Sequence, residues 1–131
     1  LKPLTANPNA KALWRQYRKS ARKRGLAFEL DLETFVMITQ HNCYLCGVEP
    51  KQRYVHDKQK RAYTTQPFVY NGVDRVSNDM PYVVGSLMAC CGTCNMAKKE
   101  MDVESFLVYV KRVYEYNFGG TQDGLEDQAG A

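Results

Sequence analysis

Cys43-Tyr44-Leu45-Cys46-Gly47 and Cys91-Gly92-Thr93-Cys94-Asn95 are the segments of this 131-residue chain best suited to chemistry. A C-x-x-C step lets one turn of backbone offer two thiolates as neighbouring corners of a tetrahedron, so two such pairs complete the coordination of one structural zinc ion. The pairs stand further apart than in a simple zinc ribbon, and the stretch between them should be an inserted structural unit. Redox chemistry at a C-x-x-C pair needs a βαβ setting, of which the second pair has only part. The fifth cysteine, Cys90, is expected to point into the core as a small apolar side chain. Cysteines kept as metal thiolates imply a reducing, intracellular compartment.

Between the knuckles stands Asn71-Gly72-Val73-Asp74-Arg75-Val76-Ser77-Asn78-Asp79, followed by Tyr82, and the second knuckle runs on as Asn95-Met96-Ala97-Lys98. From about Leu26 to Tyr114 this combination resembles the HNH endonucleases, particularly phage-type members with two zinc knuckles. The resemblance implies an α+β fold with a zinc-stapled, treble-clef-like ββα-metal core flanked by helices. It also implies a second, catalytic cation, Mg2+ or a similar divalent ion, held against the scissile phosphate. Carried over position by position, Asp74 and Asn95 are the ligands of that cation, and oxygen donors of this kind suit a hard metal.

The chain departs from the family at the general base. Where the family has a His after the Asp, this chain has Arg75, which keeps its proton near neutral pH. Arg75 can grip a phosphate bidentately but cannot activate water. Ser86 falls where the family has its middle Asn, and Pro81 replaces the Gly before Tyr82. Of the two histidines, His41 reads as structural or exposed, and His56 is the candidate to fold over the site as a substitute base. Two readings follow. One is a metal-dependent HNH-type endonuclease acting on DNA through Asp74, Arg75, Asn95 and His56. The alternative is a catalytically degenerate HNH-like zinc domain that binds DNA or RNA within a nucleoprotein assembly.

The elements that must hold these residues are written in the apolar periodicity. Ala10, Leu13, Trp14, Tyr17 and Ala21 recur at helical spacing from Ala10 to Arg24, with Gly25 as the stop. Lys11, Arg15, Arg18, Lys19, Arg22, Lys23 and Arg24 fill the other positions, and Arg15, Arg18, Lys19, Arg22 and Lys23, with Lys98 and Lys99 on the site helix, are the expected nucleic-acid contacts. Trp14 and Tyr17 are assigned to the core. Asp31 should cap a helix through Thr39, and Asp102 another to about Tyr116. Gly47 to Gln66 reads as a long loop or irregular hairpin; Phe68 to Tyr70, Val73 to Val76 and Tyr82 to Val84 read as short strands, with Asn71-Gly72 as a turn.

This gives an extended arm over 1–9, one domain over 10–118 and a flexible acidic tail over 119–131. Lys and Arg outnumber Asp and Glu by 18 to 14, although the tail alone carries Asp123, Glu126 and Asp127 and no base. The excess favours a polyanionic partner, DNA before RNA, ahead of an acidic membrane surface. No apolar run approaches the roughly 20 residues of a membrane span.

Overall fold

The computed structural model describes residues 3–56 and 66–119. The acidic tail from residue 120 onward, and the part of the basic loop with Lys58, Lys60 and Arg61, lie outside the described residues. The architecture is mixed α and β, with four α-helices and two small antiparallel sheets among the described residues. Two compact units divide the chain, Leu1–Lys99 and Glu100–Ala131, where the sequence suggests a single domain over 10–118.

Helix α1 spans Pro8–Lys23 and begins two residues earlier than its apolar stripe suggests. Asn7 caps it by accepting from the Asn9 amide, and Pro8 sits in the first turn, where its missing N–H removes no helical bond. The predicted arm is therefore only a 3-10 turn over Leu4–Ala6; Asn9 is buried, donating from Nδ2 to Gln66 O at 2.7 Å and accepting from the His56 amide at 3.0 Å. At the other end Gly25 takes φ +70°, the Leu26 amide returns to Ala21 O and the Gly25 amide to Arg22 O, a pattern that satisfies the last carbonyls. Ala10, Leu13 and Ala21 are buried against Leu30, Phe35, Val36 and Phe68, with Trp14 and Tyr17 packed at the margin. The Trp14 indole donates to Leu30 O at 2.9 Å, and Tyr17 lies edge-on to Phe35 at 5.1 Å.

Helix α2, Leu32–Thr39, is capped by Asp31 as its sequence predicts. Strand β1, Gln52–Tyr54, pairs with β2, Phe68–Tyr70, so the irregular-hairpin reading of that region holds for its ends. Strand β3, Gly72–Arg75, pairs with β4, Leu87–Cys90, with Asp74 opposite Met88. Two expectations fail here. Asn71-Gly72 is not a hairpin turn, because β2 and β3 belong to different sheets. Tyr82 to Val84 are not a strand either; Tyr82 makes a lone parallel bridge to Phe28. The excursion before β4 satisfies its own polar groups, since Arg75 Nη1 donates to Asn78 O and Met80 O, and Ser86 Oγ donates to Pro81 O and Val83 O.

Helix α3, Gly92–Lys98, follows β4 directly, and Cys91 is its N-cap. It stops at Lys99, whose φ of +49° is uncommon for a residue with a side chain. In the second unit, α4 spans Val103–Tyr114 under an Asp102 cap and continues in a wider turn over Glu115–Gly119. Among the described residues no helix is long and apolar enough to cross a membrane.

Candidate metal centre

The β3–β4 hairpin is a wall with chemistry on one side. Side chains alternate across a strand, so Val73 and Leu87 enter the core while Asp74 and Cys90 face the other way. On that second face the two knuckles meet: Cys43, Cys90 and Cys91 form a buried cluster flanked by Tyr44, Leu45, Val48 and Cys94. The Tyr44 amide donates to Ala89 O at 2.9 Å and ties the first knuckle to β4. Gly47 completes that knuckle at φ +79°, donating from its amide to Cys43 O at 2.8 Å.

The Sγ atoms of Cys43, Cys46, Cys91 and Cys94 all lie within 4.8 Å of one another, and those of Cys46 and Cys91 are 3.7 Å apart. Four sulfurs bonded at ~2.3 Å to one tetrahedral ion stand about 3.8 Å apart along each edge. All five cysteines are free thiols. The group can thus hold one metal ion, and its residues are the four the sequence singles out.

The surroundings prepare the sulfurs for that role. The Leu45 amide donates to Cys43 Sγ at 3.4 Å and the Cys94 amide to Cys91 Sγ at 3.3 Å, one such bond in each knuckle. Burial opposes ionisation of Cys43, but amide donors from Cys91, Cys46 and Leu45 outweigh it and bring the thiol down to about 6. Cys94 goes the other way, pushed up first by burial and then by its sulfur neighbours, and Cys91 is raised for the same leading reason. Four thiolates around one point repel; a divalent cation removes that repulsion, so the arrangement fits a bound metal better than free thiols. Cys90 is buried and raised by burial, donating weakly to Cys91 O, as expected of a core thiol outside the ligand set.

The remaining site residues are arranged differently from the sequence expectation. Asp74 lies on β3 beside the knuckle, but its Oδ2 accepts from the Tyr44 hydroxyl at 2.8 Å and stands 3.4 Å from Lys98 Nζ. Lys98 is only 1% exposed, so its expected role as a phosphate contact is corrected: facing the hairpin from the last turn of α3, its ammonium is held inside by Asp74. Burial, then the Asp74 carboxylate, hold the Tyr44 phenol well above its ordinary value and keep it a donor. Asn95 stands one turn before Lys98 and is exposed, as is Lys99. Arg75 is turned into its own loop, over the Tyr82 ring at 5.4 Å. His56 does not join Asp74 and Asn95; it lines a cavity along α1 with Lys11, Arg15 and Lys19. His41 is exposed, and its carbonyl serves the fold.

Asn71 is a positioning residue that sequence reading misses. Fully buried, it donates from Nδ2 to His41 O at 2.9 Å and Val48 O at 3.2 Å, while its amide donates to Thr39 O at 2.8 Å. It thereby clamps the two ends of the first knuckle to the chain entering β3. Asn before Gly reads as a turn from sequence, and only the flanking strands' different partners reveal otherwise. On α1, Arg15, Lys19, Arg22 and Lys23 are exposed, whereas Arg18 is half-buried with its guanidinium 4.5 Å from the Trp14 ring centre.

No family model and no solved structure matches the chain. An uncharacterized protein of Acanthamoeba polyphaga mimivirus is 30% identical over 115 residues, 86% of this chain. The chain spans 19% of the length of that relative.

Proposed function

We propose that the chain carries a zinc-stapled, HNH-like ββα domain that binds nucleic acid without hydrolysing it. The observation that carries this reading is the engagement of Asp74 by the buried Lys98 ammonium and the Tyr44 hydroxyl. A carboxylate already paired with a buried ammonium is a poor ligand for a hard dication, which would have to break that pair and leave the ammonium buried without its counter-charge. Arg75 holds loop carbonyls, and His56 stands beside α1, so neither supplies the missing base at Asp74.

What remains is affinity for a polyanion. The exposed bases of α1 have no ion-pairing carboxylate among the described residues, whereas Lys98 is paired with Asp74 and Lys111 with Glu115. A run of uncompensated cations on one helix repels itself and is relieved when phosphates displace its counterions. Zinc, the metal that best suits four thiolates, supplies rigidity here, with Cys43, Cys46, Cys91 and Cys94 as its ligands. Zinc-loaded protein should bind a labelled oligonucleotide with an affinity that falls steeply as salt rises. Arg15→Glu with Lys19→Glu should weaken binding about tenfold or more and flatten the salt dependence. Binding indifferent to both salt and charge reversal would remove the reading.

A metal-dependent endonuclease is the second reading, favoured by one specific observation: Asp74 and Asn95 sit on the hairpin and helix that the four cysteines bring together. It requires Lys98 to give way to the cation. Nicking of supercoiled plasmid with Mg2+ or Mn2+ that disappears in both Asp74→Ala and Asn95→Ala would support it, and nicking unchanged in both would mark a contaminant.

A further inference from the structure

Beside α1 lies a cavity of about 620 Å³ that the metal centre does not use. One wall is a single stripe of α1 with Lys11, Arg15 and Lys19 four residues apart. At 1.5 Å per residue these bases follow one another at intervals of about 6 Å, a spacing comparable with that of successive phosphates along one strand. The opposite wall is aromatic, formed by Tyr54 and His56 at the end of β1. A second cavity of about 300 Å³ shares Gln16 and Tyr54 with the first and adds Tyr70, Tyr82 and Arg24. The two form a trough along α1, with Lys11, Arg15 and Lys19 spaced along the helix and Tyr54, His56 and Tyr70 across from it.

We infer that this trough is a binding site for single-stranded nucleic acid, with the backbone along Lys11, Arg15 and Lys19 and an unstacked base against Tyr54 and His56. This rests on the nucleic-acid-binding reading and specifies its ligand. The shape supports it: a duplex is read by a convex element entering a groove, whereas a concave, ring-walled trough accepts a base turned out of its stack. Tyr54 is prepared as a platform, because its hydroxyl donates to Gln16 Oε1 at 2.8 Å and fixes the ring between the two cavities. His56 is held by its backbone, whose amide donates to the buried Asn9 side chain at 3.0 Å. These rings line open space across from a helix face whose charged groups are all cations, a combination that suits neither an apolar peptide nor a bare phosphate.

The test uses zinc-loaded full chain and fluorescein-labelled 12-mers, one single-stranded with 5-iodouracil substitutions, the other the matching duplex. The single strand should bind about tenfold tighter, and ultraviolet irradiation should crosslink it to Tyr54 or His56. Tyr54→Ala should cost the single strand about tenfold, a loss on the scale of one stacked base, while Tyr54→Phe keeps most of the affinity because the ring remains. Because Tyr54 also touches the core, the crosslink on the unaltered protein provides a readout that no misfolded variant can mimic. Equal or tighter duplex binding, or crosslinks only outside the trough, overturns this inference and leaves nucleic-acid binding standing. Failure of both probes to bind overturns the two together.

Discussion

Lys98 Nζ lies 3.4 Å from Asp74 Oδ2 on the knuckle face of the β3–β4 hairpin, and the Tyr44 hydroxyl donates to the same oxygen at 2.8 Å. The pair joins the last turn of α3 to the middle of β3, and Tyr44 joins both to the first knuckle. An oxygen that the family resemblance gives to a catalytic cation is thus the node of a structural network. Removing one member leaves the other charged and largely cut off from water. Lys98→Met in zinc-loaded protein should cost about 3 kcal/mol of stability, and adding Asp74→Asn should recover much of that loss. Denaturant midpoints of the two single variants and the double variant measure the coupling; losses that simply add would mean that the pair contributes nothing of its own.

Gly72 is a point of close contact between α1 and the second sheet. A Cβ there would meet Tyr17 Oη at 2.9 Å and Cys90 O at 3.2 Å, and neither a strand carbonyl nor a packed ring can retreat far. Gly72→Ala should cost about 2 kcal/mol. Gly85, at φ +97° with open space around its missing Cβ, is the comparison: alanine there should cost about 1 kcal/mol through the backbone alone. Thermal melts of the two variants separate crowding from conformational strain.

Tyr17 makes the fold sensitive to alkali. Burial pushes its phenol up to about 12 from an ordinary value of 10.0, although the Val73 amide, donating to its oxygen at 3.2 Å, pulls the other way. Because the folded state holds this proton more tightly than the unfolded chain, the associated stability is intact below pH 10. It is lost as pH climbs from 10 towards 12, by about 2 to 3 kcal/mol. Tyr17→Phe should lower stability at pH 8 by leaving the Val73 amide without its acceptor, yet show a shallower loss between pH 8 and pH 11. Parallel curves for the two proteins would remove Tyr17 as the alkaline weak point.

Asn71 should matter more than its place beside a glycine suggests. Replacing it with alanine leaves the His41 carbonyl without a donor and Val48 O with the Cys43 amide alone, which should cost about 2 kcal/mol. Loosening the first knuckle should also speed zinc release to a chelator. A variant that melts earlier but releases zinc at the normal rate would confine Asn71 to the fold.

Much of this was legible in the residues. Both thiolate pairs, the helix caps at Asp31 and Asp102, the Gly25 stop and the core role of Tyr17 all follow from short-range chemistry that the sequence writes out. The misreadings have one character. The stretch 1–9 reads as an extended arm, although Asn7 caps a helix that takes Pro8 into its first turn, and Asn71-Gly72 reads as a turn because strand pairing is decided at a distance. Lys98 reads as a surface cation because helical lysines usually are; the arrival of Asp74 from the hairpin helps make its burial tolerable. Likewise the trough along α1 depends on β1 bringing Tyr54 and His56 alongside Lys11, Arg15 and Lys19, a juxtaposition no local pattern contains.

The most direct test concerns the four cysteines. Zinc content of the purified chain, followed by Co2+ substitution and its absorption spectrum, should give one metal per chain and the intense thiolate charge-transfer and d–d bands of a tetrahedral four-sulfur site. Cys46→Ser should weaken those bands, and chelation should abolish the cooperative melt. A chain that holds no metal, or one that melts cooperatively at the same temperature after chelation, would contradict the account.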